Sequence, residues 1–194
     1  EKYDIEIIGL LSGKPSWASA GFKTEADAVA YGNFAKAVAE HFADRVDYWE
    51  VMNEQNINGI APADYVRMLK AAYTAIKAVD ADDVVISGGL SPAPATVGTL
   101  YGAVDYLKAM YAAGAKGYFD AFGFHPYSWP LMPDDSKSWN GWQIMEDGIR
   151  ATMVAAGDGD LKVWITEMGA PTAGGTNAVS EAQQVQMLQQ AVEM

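Results

Sequence analysis

The chain has 194 residues, half of them apolar and none of them cysteine, with 13 basic against 25 acidic side chains for a net charge of −12. That length suits one domain with a sizeable core, the acidic balance argues against nucleic-acid and membrane-surface partners, and the lack of cysteine excludes disulfides, thiolate nucleophiles and zinc–thiolate centres. No signal peptide and no membrane-spanning apolar run is visible, while the opening at Glu1, without Met, leaves open whether the natural N-terminus is represented.

Residues 5–11, Ile-Glu-Ile-Ile-Gly-Leu-Leu, are predicted as a buried strand that ends at the turn cluster Ser12-Gly13-Lys14-Pro15. Trp17 and Phe22 fall in the loop beyond it. Thr24 can cap a helix with Asp27 in capping-box position, and Tyr31, Phe34, Ala35, Val38 and Phe42 then recur at helical spacing as one apolar face. A second strand is predicted over 46–53. In its alternation Tyr48, Glu50, Met52 and Glu54 share one side, and Trp49, Val51 and Asn53 the other.

Pro62 suits the first turn of the next helix, whose stripe is Tyr65, Leu69, Ala72, Ile76 and Val79. A third strand covers 84–90, a helix about 100–113 ends at Gly114, and a fourth strand covers 119–125. The long loop 126–142 carries Tyr127, Trp129, Trp139 and Trp142. A helix over about 142–156 stops at Gly157-Asp158-Gly159, and a fifth strand over 161–166 places Leu161, Val163, Ile165 and Glu167 on one face. Ser180 and Gln183 form a capping box for a last helix.

Strand and helix alternate about five times. Apolar strands joined by amphipathic helices imply an α/β fold with a parallel sheet and right-handed crossovers, and residues 1–194 are expected to form a single domain. In such sheets the site lies beyond the strand C-termini. Asn53, Glu54, His125, Tyr127 and Glu167 all fall there.

Two carboxylates facing across such a rim suit acetal hydrolysis. One donates a proton to the leaving oxygen, and the other attacks the anomeric carbon or activates water, with their separation deciding the stereochemical outcome. The donor needs a raised pKa. Asn53 could hydrogen-bond a sugar hydroxyl, and Trp17 and Trp129 could stack on sugar faces. Glu50 is read as a buried, hydrogen-bonded residue and His125 as part of the site rather than of the core. His41, in the last turn of a helix, is given no function, and the methionines are core filler. Stacking and packing both stay open for the tryptophans of the 126–142 loop. A metal site at His125, Glu54 and Glu167 lacks the tight local ligand pair such sites usually show, so no metal and no cofactor is expected.

Trp49-Glu50-Val51-Met52-Asn53-Glu54-Gln55-Asn56 resembles the acid/base strand end of clan A glycoside hydrolases, and Trp164-Ile165-Thr166-Glu167-Met168-Gly169 resembles their nucleophile strand. Ser87-Gly88-Gly89-Leu90-Ser91 and Phe119-Asp120-Ala121-Phe122-Gly123-Phe124-His125-Pro126-Tyr127 match as well, most closely the cellulase and β-xylosidase-like branch around family thirty-nine. The resemblance runs along nearly the whole chain. It implies a (β/α)8 TIM-barrel-type fold, a carbohydrate substrate, a retaining mechanism on β-linked sugars, polysaccharide degradation and a secreted or extracellular protein. On it Glu54 is the acid/base, Glu167 the nucleophile, Asn53 the partner of the sugar 2-hydroxyl, and His125 and Tyr127 line the cleavage subsite. Met52 and Gln55 stand where the family usually has Trp and Pro.

The five strands match strands three to seven of the eight. Strands one, two and eight have no counterpart, and a full barrel needs about 250 residues. The expectation is a fragment, a truncated relative, or a partial barrel whose open edges are covered by a second copy or a partner chain. The alternative function is a non-catalytic barrel piece that binds glycan or assembles with other chains.

Overall fold

The computed structural model describes residues 5–13 and 22–194. Five strands form one parallel sheet in the order β1 (Ile8–Leu11), β2 (Tyr48–Asn53), β3 (Val84–Leu90), β4 (Ala121–Phe124) and β5 (Lys162–Ile165). Helix α1 (Glu25–Phe42) joins β1 to β2, α2 (Pro62–Val79) joins β2 to β3, and α3 (Ala103–Ala112) joins β3 to β4. Between β4 and β5 runs a composite helix of α4 (Gly141–Gln143), a π-helical stretch Ile144–Arg150, and α5 (Ala151–Ala155), and α6 (Glu181–Glu193) follows β5.

The sheet is curled. The rings of Tyr48 on β2 and Trp164 on β5 sit 5.3 Å apart although β3 and β4 lie between their strands. One layer nearer the strand ends, the Thr166 hydroxyl lies 2.8 Å from Glu50 Oε1. Tyr48, Glu50, Trp164 and Thr166 therefore line the concave face, the arrangement of a barrel interior. Trp49 and Val51 point the other way into the core beneath the helices, where the Trp49 indole N–H donates to Asp83 Oδ2 at 2.9 Å.

The predicted stripe of α2 is the centre of that core, with Tyr65, Leu69, Ala72 and Ile76 fully buried and Val79 partly so. Helix α1 differs from its prediction. Its capping box between Thr24 and Asp27 is present, but its buried face is Ala28, Tyr31, Gly32, Ala35 and Ala39, while Phe34 and Phe42 are exposed. The reason is close packing on α2: a Cβ on Gly32 would meet the Ala71 carbonyl oxygen at 3.1 Å, so small residues face the neighbour at that point while Phe34 and Phe42 stay at the margin.

The first strand is shorter and less buried than predicted. Ile5 and Ile7 precede the pairing, and Ile8 and Leu10 are 40% and 47% exposed. Among the described residues β1 has β2 alone as neighbour. A groove lined by Ile7, Leu10, Val38, Phe42 and Trp49 follows that edge. At the opposite edge Ile165 of β5 is also exposed.

The helix predicted from residue 100 starts instead at Ala103, because Val97 and Leu100 first bridge to each other. The fourth strand starts at Ala121 rather than 119, since Phe119 turns into the core against Tyr111 and Phe122. The helix predicted over 142–156 carries the π stretch at its centre. There a Cβ on Gly148 would meet Val104 Cγ2 at 2.4 Å, so this glycine allows the close approach of α3. Only half of the last capping box forms: Ser180 accepts from the Gln183 N–H, and the Gln183 side chain donates to the Pro130 carbonyl at 3.0 Å. No helix among the described residues is long and apolar enough to cross a membrane.

Candidate active site

The predicted side chains Glu54, His125, Tyr127 and Glu167 come together beyond the C-terminal ends of β2, β4 and β5. His125 is fully buried, and its Nδ1 lies 3.3 Å from Glu54 Oε1 and 3.7 Å from Glu167 Oε2. The Tyr127 hydroxyl donates to Glu167 Oε2 at 3.0 Å. The two carboxylates are partly exposed above the buried imidazole, at 23% for Glu54 and 42% for Glu167. Two oxygens bound to distances from one nitrogen are at most about 7 Å apart, a span that a single glycosidic bond can bridge.

The route by which each group arrives is not the one strand alternation predicts. Met52 and Glu54 both have positive φ, 70° and 47°, a conformation unfavourable for residues with a Cβ. The Glu54 N–H still donates to the Gly89 carbonyl at 2.9 Å, so the distorted end of β2 stays tied to β3 while Met52 turns into the core. Such local strain is characteristic of functional sites. Glu167, predicted on the face of Leu161, Val163 and Ile165, lies two residues past the end of β5. There it is released from the alternation and turns to Tyr127 and His125.

Gly89 makes room for the imidazole: a Cβ there would lie 2.2 Å from His125 Nε2 and 2.7 Å from Thr166 Oγ1. Glu50 is buried as expected. It accepts from the Gly89 N–H at 2.8 Å and from the Thr166 hydroxyl at 2.8 Å. Burial raises its pKa, opposed by those two hydrogen bonds. Burial, and after it the neighbouring Glu167, pushes the Tyr127 phenol up to about 12, which keeps it a donor at all ordinary pH.

Asn53 stands at the same rim with its Oδ1 buried and without a hydrogen-bond partner among the described residues. Gln55 is fully buried and donates to the Gly88 carbonyl at 2.9 Å. Asn56 binds Ser91 and Tyr101 backbone groups, so the loops after β2 and β3 support each other. Trp129 is partly buried and packs with Met132 against Ala170, Val179 and Met187. Trp17 lies outside the described residues. The described residues contain no group of three or more His, Asp or Glu arranged to hold a metal ion.

Two residues that motif reading passed over organise this region. Thr166 joins His125 to Glu50, and the only sequence signal for it is its place beside Glu167. Asn140 is buried and donates to the carbonyls of Met132, Pro133 and Asp135 while accepting from the Trp142 N–H, which pins the loop that carries Tyr127 and Trp129. No local pattern distinguishes it from an ordinary loop asparagine.

No curated protein matches the chain by sequence. Among solved structures, a glucosidase from Croceicoccus marinus aligns with a TM-score of 0.63 at 18% identity, covering 93% of this chain and 37% of that one. A family 39 glycoside hydrolase from Bacteroides cellulosilyticus aligns with a TM-score of 0.60 at 24% identity, covering 89% and 36%. A hyperthermophilic β-glucosidase mutant aligns with a TM-score of 0.61 at 18% identity, covering 99% and 58%. At these identities the likeness is one of fold, an α/β barrel of the TIM type, and the chain spans about a third to three-fifths of the length of these neighbours. A family model described as Cellulase (glycosyl hydrolase family 5) matches residues 12–193. The branch expected from the motifs was family thirty-nine, which is present among the fold neighbours, while the matching family model is that of family five. With nearly its full length matched, the chain belongs to the cellulase family, glycosyl hydrolase family 5.

Proposed function

We propose that the chain carries the site of a retaining glycoside hydrolase acting on β-linked sugars, with Glu54 as acid/base and Glu167 as nucleophile. The single observation that carries this reading is the convergence of both carboxylates on His125 Nδ1, at 3.3 and 3.7 Å, from strand ends more than a hundred residues apart. Tyr127 binds one oxygen of Glu167 and leaves the other free to attack the anomeric carbon. Glu54 gives its proton to the leaving oxygen as that bond breaks and a glycosyl ester forms on Glu167. Water then loses a proton to Glu54, adds to the anomeric carbon and displaces Glu167. Asn53, the last residue of β2 beside Glu54, is the partner of the sugar 2-hydroxyl that the motif resemblance implies.

The test is turnover of a panel of aryl β-glycosides, with a fluorosugar inactivator that slows release of the ester. The reading expects turnover and a covalent adduct on the peptide containing Glu167. Turnover unchanged in Glu167→Ala would remove Glu167 from the mechanism.

A second reading is favoured by the sheet edges. Ile8 and Leu10 on β1 and Ile165 on β5 are exposed at strands that have a neighbour on one side only among the described residues. On this reading the chain assembles with a second copy or a partner chain that covers those edges. Mass measurement in solution separates the two: a well-behaved monomer of 20.8 kDa counts against assembly.

A further inference from the structure

Behind the two carboxylates lies a chain of hydrogen bonds whose direction can be worked out atom by atom. The Gly89 N–H can only donate, and it points at Glu50 Oε1 across 2.8 Å. With Glu50 ionised, that oxygen carries no hydrogen and can only accept. The Thr166 hydroxyl, 2.8 Å from the same oxygen, supplies the hydrogen between them. A hydroxyl has one hydrogen, so toward its other neighbour Thr166 can only accept. That neighbour is His125 Nε2 at 3.1 Å, which must carry a hydrogen. Nδ1, on the opposite side of the ring, faces Glu54 Oε1 and, farther off, Glu167 Oε2. A bare imidazole nitrogen and a bare carboxylate oxygen repel, so one proton must lie between Nδ1 and Glu54.

We infer that Glu50 and Thr166 are positioning residues that lock His125 with its hydrogen on Nε2, so that Nδ1 and Glu54 share one transferable proton. The catalytic consequence rests on the glycosidase reading of Glu54, whereas the lock rests on the hydrogen-bond geometry alone. An imidazole with its hydrogen on Nδ1 would donate to Glu54 and hold it as a carboxylate, the form that cannot protonate a leaving group. The lock removes the neutral ring of that kind, so a proton on Nδ1 makes an imidazolium, a stronger acid that can return it to Glu54. After Glu54 has given its proton away, its oxygen faces Nδ1 with no proton between them, which drives Glu54 to take one from the incoming water. Among the described residues, the Gly89 N–H, Thr166, His125 and Glu167 face Glu50, and Glu54, Glu167, Thr166 and the edge of the Tyr127 ring face His125.

The test is NMR of isotope-labelled histidine nitrogens in the intact protein. The chain has two histidines, and His41→Gln leaves the His125 signals alone in the spectrum. The inference expects Nε2 to carry hydrogen wherever Glu50 is ionised. In Thr166→Val the bare Nε2 form should appear and kcat should fall about tenfold with KM little changed. Thr166→Ser, which keeps the hydroxyl, should restore both. A wild-type spectrum with hydrogen on Nδ1 and none on Nε2 overturns the inference, as does a folded Thr166→Val with an unchanged nitrogen pattern. If that variant does not fold, the wild-type and Thr166→Ser spectra decide. Locked nitrogens in a protein that turns over no aryl β-glycoside would sink the glycosidase reading and leave the lock standing. Turnover with the hydrogen on Nδ1 would do the reverse.

Discussion

Tyr127 donates its phenolic hydrogen to Glu167 Oε2 across 3.0 Å, linking the loop after β4 to the residue two places beyond β5. A hydrogen bond to a charged group is worth about 1.5–3 kcal/mol. Tyr127→Phe is therefore expected to lower kcat/KM about 10- to 100-fold, read by initial rates on an aryl β-glycoside. Burial and Glu167 hold the phenol at about 12, so Tyr127 stays protonated below about pH 11. Any alkaline limb in the wild-type profile below that point should persist in Tyr127→Phe; its disappearance would mean that Tyr127 titrates in the working range.

Glu54 is cast as the proton donor, so its loss should depend on how much the leaving group needs a proton. In Glu54→Gln, turnover of a glycoside with a basic alcohol leaving group is expected to fall about 10²–10⁴-fold. With a strongly acidic phenol leaving group, bond cleavage to form the ester should be far less affected. Equal losses on both substrates would contradict the role.

Gly89 has no side chain because the imidazole occupies that space, with His125 Nε2 2.2 Å from where a Cβ would stand. Gly89→Ala must push His125 and Thr166 aside. Overpacking of this kind costs about 1–3 kcal/mol, measurable as a lower urea midpoint, and turnover should fall with it. An alanine variant as stable and as active as the wild type would refute the placement of His125 against β3.

Glu50 gives a pH signature in stability. Its pKa in the fold is raised above 4.5, first by burial and against the opposing bonds from Thr166 and Gly89. Just above 4.5 the folded chain keeps a proton that the unfolded chain has lost. This contribution to stability is thus complete at lower pH, falls as pH rises through the window between the unfolded and folded values, and is constant once both forms are ionised. Glu50→Gln removes it. Urea midpoints measured across that window should show a shallower fall in the variant, and identical slopes would show that Glu50 does not titrate with folding.

The alternation of strand and helix, the α2 stripe and the collection of polar residues at one sheet rim were legible because each is written in a local period. What was not legible depends on neighbours. The face of α1 is chosen by the close approach of α2 at Gly32, not by its largest apolar residues. The exposure of Ile8 and Leu10 goes with a strand that has one neighbour among the described residues, which the composition of β1 cannot reveal. The position of Glu167 follows from where β5 ends. The bond from Thr166 to Glu50 crosses 116 residues of sequence and is created by the curl of the sheet.

The central claim, that Glu54 and Glu167 act on one glycosidic bond by two successive displacements, is tested most directly by the configuration of the first product released from a β-glycoside, followed by proton NMR before the sugar equilibrates in water. The account predicts the β-anomer. First release of the α-anomer would contradict it.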